Sequence, residues 1–484
     1  MARSADLVAG VDVATAAVRA LAVDAAGRPR AEASSPLPEP RAARPGWWEQ
    51  DATAWWPTVV TVLGDLTRQL DSDRHALVAV CVCATSGTVV ALDAAARPVG
   101  AALTYADQRA TGEATAAQDA GAERWSRLGL RIQASFGLPK WAWLLRQPEI
   151  RAETARLAHA SDVVVNHLIG GSAPTDWSHA LKSGYDPQRG EWATEATDAL
   201  GIAPRLLPEV RRPTEAVGCV SREAARDTGL PTGCEVRLGM TDSCASQLAA
   251  GAATPGRFVS VLGSTLVLKG ASRDLVSDPT GAVYSHRHPD GWWLPGGASS
   301  TGGRALTAGF GGHRLTELDQ RAARRGPADC VVYPLVGRGE RFPFAAPDAE
   351  GFMLGTPRDE VERYRATLEG VAFVERLGYE RLAALGAIPD GPIASSGRGS
   401  SSAVWNYIRA SVLGGPVVAK PSAGTDLGAC ILAAAGTVHP DLDTAMRAMA
   451  VTGEEVRPQE DEQAALQRNH DRFVSAIRDR SWLD

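Results

Sequence analysis

Two distant segments of the chain share one pattern: a buried strand, a short polar turn and a second strand. In the first half, apolar runs predict strands over Leu7–Val13 and Val18–Asp24. In the second half, the same pattern predicts strands over Phe258–Leu262 and Leu266–Lys269. The segment Gly251–Gly256, which contains glycine and proline, separates the two halves. The repetition predicts two halves that are built alike.

Strands alternate with helices along the chain. Val78–Ala84 and Val89–Asp93 form a further strand–turn–strand unit, and apolar residues at helical spacing predict a helix over Val361–Leu385. Further helices are predicted over Ala403–Leu413 and Asp426–Ala435. This alternation predicts the α/β class, and 484 residues suffice for two domains with their own cores. The predicted divisions are an N-terminal domain over 1–250, a C-terminal domain over 256–440 and a helical tail over 441–484.

The net charge limits the classes of partner that the protein can bind, and the cysteine pattern indicates the cellular compartment in which it works. The net charge is −6, from 50 basic and 56 acidic residues, which argues against a nucleic-acid partner. No apolar run reaches the roughly 20 residues of a membrane span, and the first residues lack the apolar core of a signal peptide. Seven cysteines without a Cys-x-x-Cys pair suit a reducing compartment. We therefore expect a cytoplasmic protein with no membrane partner.

The common phosphate-binding signatures are absent from the sequence. No Gly-Lys dipeptide occurs, so there is no Walker A loop, and Gly397-Arg-Gly399 lacks the third glycine of a dinucleotide fingerprint. His286 and His288 are the only closely spaced histidines, and no zinc motif surrounds them. Any phosphate chemistry must therefore use another architecture.

Three polar turns at strand ends remain, and each has two interpretations. Asp12 either binds a metal ion or starts a turn. The turn Gly263–Thr265 is either an anion cradle or an ordinary hairpin turn. Asp242 either caps a helix or acts as a general base. Together the three turns supply the parts that phosphoryl transfer requires: a phosphate cradle, a carboxylate for Mg²⁺ and a carboxylate base.

Several segments match one known family in order. They are Pro45–Asp51, Ala101–Ala110, Thr175–Ala180, Leu262–Thr265 and Leu368–Phe373. In this order they resemble the FGGY carbohydrate kinases. The resemblance implies the actin-like ATPase fold, which is ribonuclease H-like, with two similar domains flanking a deep cleft. It also implies ATP and Mg²⁺ as cofactors, a small sugar as substrate, and a monomer or homodimer.

Within this family, the sequence is most similar to kinases of the D-ribulose type. The strings that carry this likeness are Thr85–Val89, Ala180–Tyr185, Gly263–Lys269, Tyr284–His286 and Gly337–Pro343. Xylulose kinases usually have Gln-Met-His-Gly where this chain has Ala84-Thr-Ser-Gly87. The resemblance implies phosphorylation of the terminal primary hydroxyl of D-ribulose. Xylulose, sedoheptulose or a cyclitol are the alternative substrates.

The resemblance also implies roles for individual positions. Asp242 matches the catalytic aspartate, and Asp12 matches the aspartate of the first phosphate loop, which would also orient Mg²⁺. The positions implied to bind sugar are Ser86, Gly87, His179, Lys182 and Asp242. The positions implied to bind nucleotide are Asp12, Thr15, Arg19, Gly263, Ser264, Thr265, Gly302, Gly303, Gly397, Arg398, Gly399 and Ser400.

Two loops depart from the family pattern. Where the family usually has Asp-x-Gly-Thr/Ser-Ser, this chain has Asp12-Val-Ala-Thr-Ala16, so a glycine and a serine hydroxyl are missing. Where the family usually has Gly-Gly-Gly-Ala-Lys, this chain has Gly397-Arg-Gly-Ser-Ser401. These departures support a second hypothesis, a sugar- or nucleotide-binding sensor with weakened catalysis.

Overall fold

The computed structural model describes residues 6–483. Residues 1–5, on which the expectation of no signal peptide partly rests, lie outside this range, as does residue 484. The chain packs into two compact units. Among the described residues, the first comprises 6–249, 286–291 and 424–450, and the second comprises 250–285, 292–423 and 451–483. No helix in the described part of the chain is long and apolar enough to cross a membrane.

The elements up to residue 249 belong to the first unit. The strands are β1 (Leu7–Val13), β2 (Ala17–Val23), β3 (Pro29–Pro36), β4 (Arg41–Arg44), β5 (Trp47–Gln50), β6 (Leu77–Ala84), β7 (Val89–Leu92), β8 (Pro98–Leu103), β9 (Arg156–His159), β10 (Thr175–Asp176), β11 (Tyr185–Asp186), β12 (Glu191–Trp192), β13 (Val210–Arg211), β14 (Ala216–Cys219) and β15 (Glu235–Thr241). The helices are α1 (Trp55–Leu70), α2 (Thr111–Ala120), α3 (Ala122–Leu128), α4 (Gly137–Leu145), α5 (Pro148–Glu153), α6 (Ala160–Ile169), α7 (Trp177–Ala180), α8 (Thr194–Ala199), α9 (Arg222–Thr228) and α10 (Asp242–Ala249).

The remaining elements follow in chain order. The strands are β16 (Phe258–Leu262), β17 (Leu266–Gly270), β18 (Tyr284–Arg287), β19 (Trp293–Ala298), β20 (Val331–Glu340), β21 (Ala346–Leu354), β22 (Ile393–Ser396), β23 (Val417–Ala419) and β24 (Glu454–Val456). The helices are α11 (Arg304–Phe310), α12 (Leu315–Ala322), α13 (Glu360–Ala384), α14 (Ala403–Leu413), α15 (Thr425–Ala434), α16 (Leu442–Met449) and α17 (Glu460–Arg478). Short 3-10 turns occupy Ala52–Ala54, Asp71–Ala76, Leu181–Ser183, Pro204–Leu206, Gly312–Arg314 and Arg398–Ser401.

The main sheets of the two units repeat one topology. In the first unit the strand order is β14-β15-β6-β1-β2-β3, with β1 parallel to β6, β6 parallel to β15, and β1, β2 and β3 antiparallel. In the second unit β19, β17 and β16 form the antiparallel part, and β16, β22 and β23 run parallel. The predicted repetition of a strand–turn–strand unit is therefore present, and the α/β class is confirmed.

Each unit has its own apolar core. In the first unit, α1 and α6 pack on the sheet, and Trp55, Val82 and Val163 lie in the core. In the second unit, the long helix α13 packs on β20 and α14, and the core includes Phe258 and Phe373. These cores hold the parallel strands side by side, so that their carboxyl ends, where the polar turns follow, lie along one edge of each sheet.

The last third of the chain contributes to both units. Residues 424–450, with α15 and α16, pack with the first unit, and α17 adds Leu466 and Phe473 to the core of the second. The domain boundaries at 250, 256 and 440 stay predictions. The predicted helix over Ala403–Leu413 is α14, and the helix predicted over Asp426–Ala435 begins and ends one residue earlier.

Candidate functional site

Asp12 lies near the end of β1 and is 5% exposed. Its Oδ2 forms an ion pair of 3.1 Å with the half-exposed Arg19, while its buried Oδ1 has no hydrogen-bond partner among the described residues. Burial, and then the Asp242 carboxylate, raise the pKa of Asp12 to about 7, although Arg19 opposes this shift. A buried oxygen without a partner is costly, so this site suits a bound cation or another donor.

The turn after Asp12 is closed by its own backbone. Ala14 N–H donates to the carbonyl of Ala17 over 3.1 Å, and the Thr15 carbonyl accepts from Gln50 Nε2 at 2.8 Å. The Thr15 side chain is partly exposed. The backbone oxygen of Thr15 is therefore already used within the protein.

Asp242 follows β15 directly and begins α10. Its Oδ1 accepts from Ser243 N–H at 2.7 Å, and its carbonyl accepts from the Thr425 hydroxyl at 3.3 Å. Because α10 packs on α15, Asp426 in the first turn of α15 is a third carboxylate of this group and also raises the pKa of Asp12. The structure thus brings Asp12, Arg19 and Asp242 together, and adds Asp426, for which the sequence offered no motif.

The donor set around Asp12 fits Mg²⁺. Mg²⁺ takes oxygen ligands, and proteins usually hold it with one or two carboxylates while substrate phosphates and waters complete the shell. Asp12 offers an unpartnered buried oxygen beside two further carboxylates. Within residues 6–483, no three His, Cys, Asp or Glu side chains lie close enough together to hold a metal ion alone. This arrangement suits an ion that arrives with the phosphates of a nucleotide.

Ser86 and Gly87 form the turn after β6. The Ser86 hydroxyl oxygen is buried and has no hydrogen-bond partner in the described part of the chain. Gly87 has φ = +82°, a conformation that favours glycine, and its carbonyl accepts from Lys140 Nζ at 2.5 Å. Lys140 also donates to the Thr104 carbonyl at 2.8 Å. Lys140 therefore holds the backbone of the turn, and the Ser86 hydroxyl is available for a hydrogen bond.

Lys140 is a candidate functional residue that no sequence motif indicated. It lies on α4 with no exposed surface, and burial lowers its pKa to about 7, although Asp107 opposes this shift. The sequence nevertheless marks this residue, because Lys140 is one of only four lysines in the chain and interrupts the apolar segment Gly137–Leu145. A lone lysine in such a segment needs a partner.

His179 is held on both sides of its ring. Nδ1 lies 2.6 Å from Asp176 Oδ2, and Nε2 lies 3.2 Å from the carbonyl of Ala84, the last residue of β6. Burial disfavours the charged ring, but the Asp176 carboxylate outweighs it and raises the pKa of His179 to about 9. Lys182 is partly buried, with Nζ 5.4 Å from the centre of the Phe136 ring. His179 thus contacts β6, the strand that leads into the Ser86 turn.

In the second unit, the turn Gly263–Thr265 links β16 and β17. It is closed by Gly263 N–H donating to the Thr265 carbonyl at 3.0 Å, and Gly263 and Ser264 are exposed. Gly302 and Gly303 pack against it: a Cβ on Gly302 would lie 2.5 Å from Thr265 Cα, and one on Gly303 would lie 2.6 Å from the Gly263 oxygen. Only glycine permits this approach.

The loop Gly397–Ser400 follows β22 beside the same turn. Gly397 has φ = +80°, and a Cβ there would lie 2.7 Å from the Leu262 oxygen; one on Gly399 would lie 2.8 Å from Leu262 Cβ. Ser400 is buried, and its hydroxyl donates to the Gly397 carbonyl at 2.6 Å. Ser400 therefore shapes the loop, whereas Arg398 is exposed.

The two glycine loops border a cavity of about 840 Å³ within the second unit. This volume is in the range of small-molecule sites. Predicted nucleotide residues in its lining are Gly263, Ser264, Gly303, Arg398 and Gly399. Arg304 and Trp405 also line it, although no motif had singled them out. The lining thus combines the two glycine loops with two arginines and the side chains of Leu262, Leu306 and Trp405.

Comparison with known proteins gives a consistent result. Residues 7–249 match the N-terminal domain of the FGGY family of carbohydrate kinases, and residues 258–437 match its C-terminal domain. A xylulose kinase of Streptomyces coelicolor is 30% identical over 426 residues, which cover 85% of this chain and 84% of that protein. A gluconokinase of Bacillus subtilis is 26% identical over 415 residues, which cover 79% of each chain.

A solved structure shares the fold across nearly the whole chain. The crystal structure of xylulose kinase from Rhodospirillum rubrum has a TM-score of 0.86 and 28% sequence identity, and covers 97% of this chain and 98% of its own. The predicted actin-like ATPase fold with two domains is therefore confirmed.

Proposed function

Because the chain belongs to the FGGY family of carbohydrate kinases, we propose that it transfers the γ-phosphate of ATP to the terminal primary hydroxyl of D-ribulose. The general activity, without the identity of the sugar, follows from the family: the protein is a carbohydrate kinase that uses ATP with Mg²⁺. The observation that carries the proposal is the group of carboxylates at the strand ends of the first unit, where Asp12 has an unpartnered buried oxygen beside Asp242.

Asp242 is the proposed general base. It accepts the proton of the sugar hydroxyl as that oxygen attacks the γ-phosphorus and the bond to the bridging oxygen of ADP breaks. The hydrogen bond from Ser243 N–H to Oδ1 fixes the orientation of the side chain at the start of α10. Asp12, with Asp426 nearby, is the proposed holder of Mg²⁺, which neutralises phosphate charge when it is bound.

The second unit supplies the proposed nucleotide site. The exposed turn Gly263–Ser264 and the adjacent Gly303 line the cavity, and they are the proposed cradle for the phosphates of ATP. Arg304 and Arg398 add positive charge to the same lining. In this proposal Arg398 compensates for the lysine that the family usually has in this loop.

The proposed sugar site centres on the turn at Ser86. Its free buried hydroxyl is available for a hydrogen bond to the sugar, and an unpartnered polar atom of this kind gives strong discrimination between substrates. His179 is proposed to act through β6, because both of its ring nitrogens already have protein partners. Lys182 remains a proposed direct contact.

Two pentuloses compete as substrate. The segment Ala84–Gly87 and the strings quoted from the sequence favour D-ribulose. The Streptomyces coelicolor relative, named a xylulose kinase, favours D-xylulose. The location in the cytoplasm and the monomeric or dimeric state also stay proposals.

The decisive experiment is a coupled ADP-release assay with D-ribulose, D-xylulose, sedoheptulose, gluconate and a cyclitol. We expect the highest kcat/KM with D-ribulose, by about tenfold or more over D-xylulose. A higher kcat/KM with D-xylulose would replace the proposed substrate. Absence of turnover above the sugar-free rate with every compound would favour the sensor hypothesis, which the altered loops Asp12–Ala16 and Gly397–Ser401 support.

A further inference from the structure

Glu340 is a buried carboxylate to which the proposed function assigns no role. It ends β20, lies within the segment Gly337–Pro343 and is 3% exposed. Its two oxygens accept five hydrogen bonds from neutral donors. These are Ser300 N–H at 2.5 Å, Arg341 N–H at 2.9 Å, and the hydroxyls of Ser299, Thr301 and Tyr333 at 2.9, 3.0 and 3.0 Å.

Three of these donors belong to one segment, Ser299–Thr301, which is bonded to the start of β17. Leu266 N–H donates to the Thr301 carbonyl at 2.7 Å, and Ser299 N–H donates to the Leu266 carbonyl at 2.9 Å. Glu340 therefore holds the segment Ser299–Thr301. This segment is bonded to β17, the strand that directly follows the turn Gly263–Thr265.

The same segment continues into the glycines that pack on this turn. Gly303 N–H donates to the Gly263 carbonyl at 3.0 Å, and Arg304 N–H donates to the Ser264 carbonyl at 3.0 Å. The shape of the turn thus depends on where residues 302–304 lie. Those residues follow immediately after the three donors that Glu340 holds.

The five donors are the counterpart of this buried carboxylate, and an apolar side chain in its place would leave them without an acceptor. Burial, and then Glu340, raise the pKa of Tyr333, so its phenol stays protonated and donates. What the carboxylate adds is a set of directed hydrogen bonds on one backbone segment.

We propose that Glu340 is a positioning residue for the phosphates of ATP. Glu340 is not part of the lining of the cavity; it holds Ser299–Thr301 and, through them, the turn Gly263–Thr265 in the shape that binds phosphate. The inference rests on the proposed role of this turn as the phosphate cradle.

The test compares Glu340→Gln with Glu369→Gln. Glu369 is a buried carboxylate on α13 of the same unit, bonded to Arg365 and Ala328, and is the matched control. Calorimetric titrations use the non-hydrolysable analogue AMP-PNP with Mg²⁺, and adenosine. In Glu340→Gln we expect the AMP-PNP affinity to fall about tenfold, while adenosine affinity and the KM for sugar stay unchanged. The control should leave both affinities unchanged.

Equal losses for AMP-PNP and adenosine, or an unchanged AMP-PNP affinity, would overturn the inference. A second variant, Thr301→Val, removes one hydroxyl from the carboxylate and should lower AMP-PNP affinity about two- to threefold. If Glu340→Gln does not fold, an unchanged affinity in Thr301→Val overturns the inference. Failure of D-ribulose as substrate affects only the proposed function, whereas a wild-type protein that does not bind AMP-PNP overturns both.

Discussion

The two units present the same strand–turn–strand topology but hold their turns by different means. In the first unit, buried charged side chains support the strand ends: Asp12 pairs with Arg19, Lys140 binds the carbonyl of Gly87, and His179 pairs with Asp176. In the second unit, Gly302 and Gly303 pack directly on the backbone of the turn at Gly263, and the donors to Glu340 are neutral. Paired charges support the turns of the first unit, whereas the turn of the second unit combines close backbone packing with one carboxylate, Glu340, that is bonded to neutral donors.

The two kinds of support predict different responses of the turns to substitution. A charged support is sensitive to the loss of one partner, because an uncompensated buried group is left behind. A close backbone contact is sensitive to a single added methyl group, because cores and tight turns cannot absorb it without moving.

Asp242→Asn should lower kcat by about 10²–10⁴-fold, because the amide cannot accept the proton of the sugar hydroxyl. The KM values for sugar and ATP should change little, because the side chain keeps its size. The measurement is steady-state kinetics with D-ribulose and ATP. Full activity in a folded Asp242→Asn protein would remove the catalytic assignment.

Gly302→Ala should raise the KM for ATP about tenfold or more, because the new Cβ would lie 2.5 Å from Thr265 Cα and must displace the turn. Gly309→Ala is the matched control, since a Cβ there meets nothing within 4 Å. Kinetics at saturating sugar should separate the two variants. Equal KM values would show that shape does not control this turn.

Lys140→Met should raise the KM for sugar about fivefold and leave the KM for ATP unchanged. It removes the hydrogen bonds to Gly87 and Thr104, and two buried carbonyls lose their donor. Lys420→Met, which removes a single bond of 2.7 Å to the Ala250 carbonyl, is the control. A rise in the KM for ATP alone would contradict the role of Lys140 at the sugar turn.

The pairing of His179 should make the stability of the first unit depend on pH. Since the Asp176 carboxylate raises the folded pKa of His179 to about 9 despite burial, its contribution is fully present below about pH 6.5 and is lost as the pH rises through 9. The expected loss is about 1–3 kcal/mol, or about 2–4 °C in melting temperature per kcal/mol.

Scanning calorimetry at pH 6.5 and pH 9.5 tests this expectation with His179→Asn, which should show a smaller decrease than the wild type. The exposed His75→Asn is the control and should behave as the wild type does. An equal decrease in all three proteins would show that the His179–Asp176 pair does not carry the pH dependence.

Much of the fold could be predicted from local sequence. The strands Leu7–Val13 and Phe258–Leu262 and the helix Ala403–Leu413 have the predicted bounds, because apolar runs and helical periodicity are properties of consecutive residues. The actin-like fold was predicted from motifs that occur in one order, and not from any single motif.

Consecutive residues and ordered motifs were enough to predict the two similar halves, the polar turns at the strand ends and the family. The side chains that support those turns could be identified only once the chain was folded. Lys140 lies 53 residues from Gly87, and Glu340 lies 41 residues from Ser299, and neither separation has a sequence pattern. Asp426 reaches the carboxylate group only because α15 packs on α10. Such contacts depend on how distant elements pack, and packing is a property of the whole unit and not of any segment.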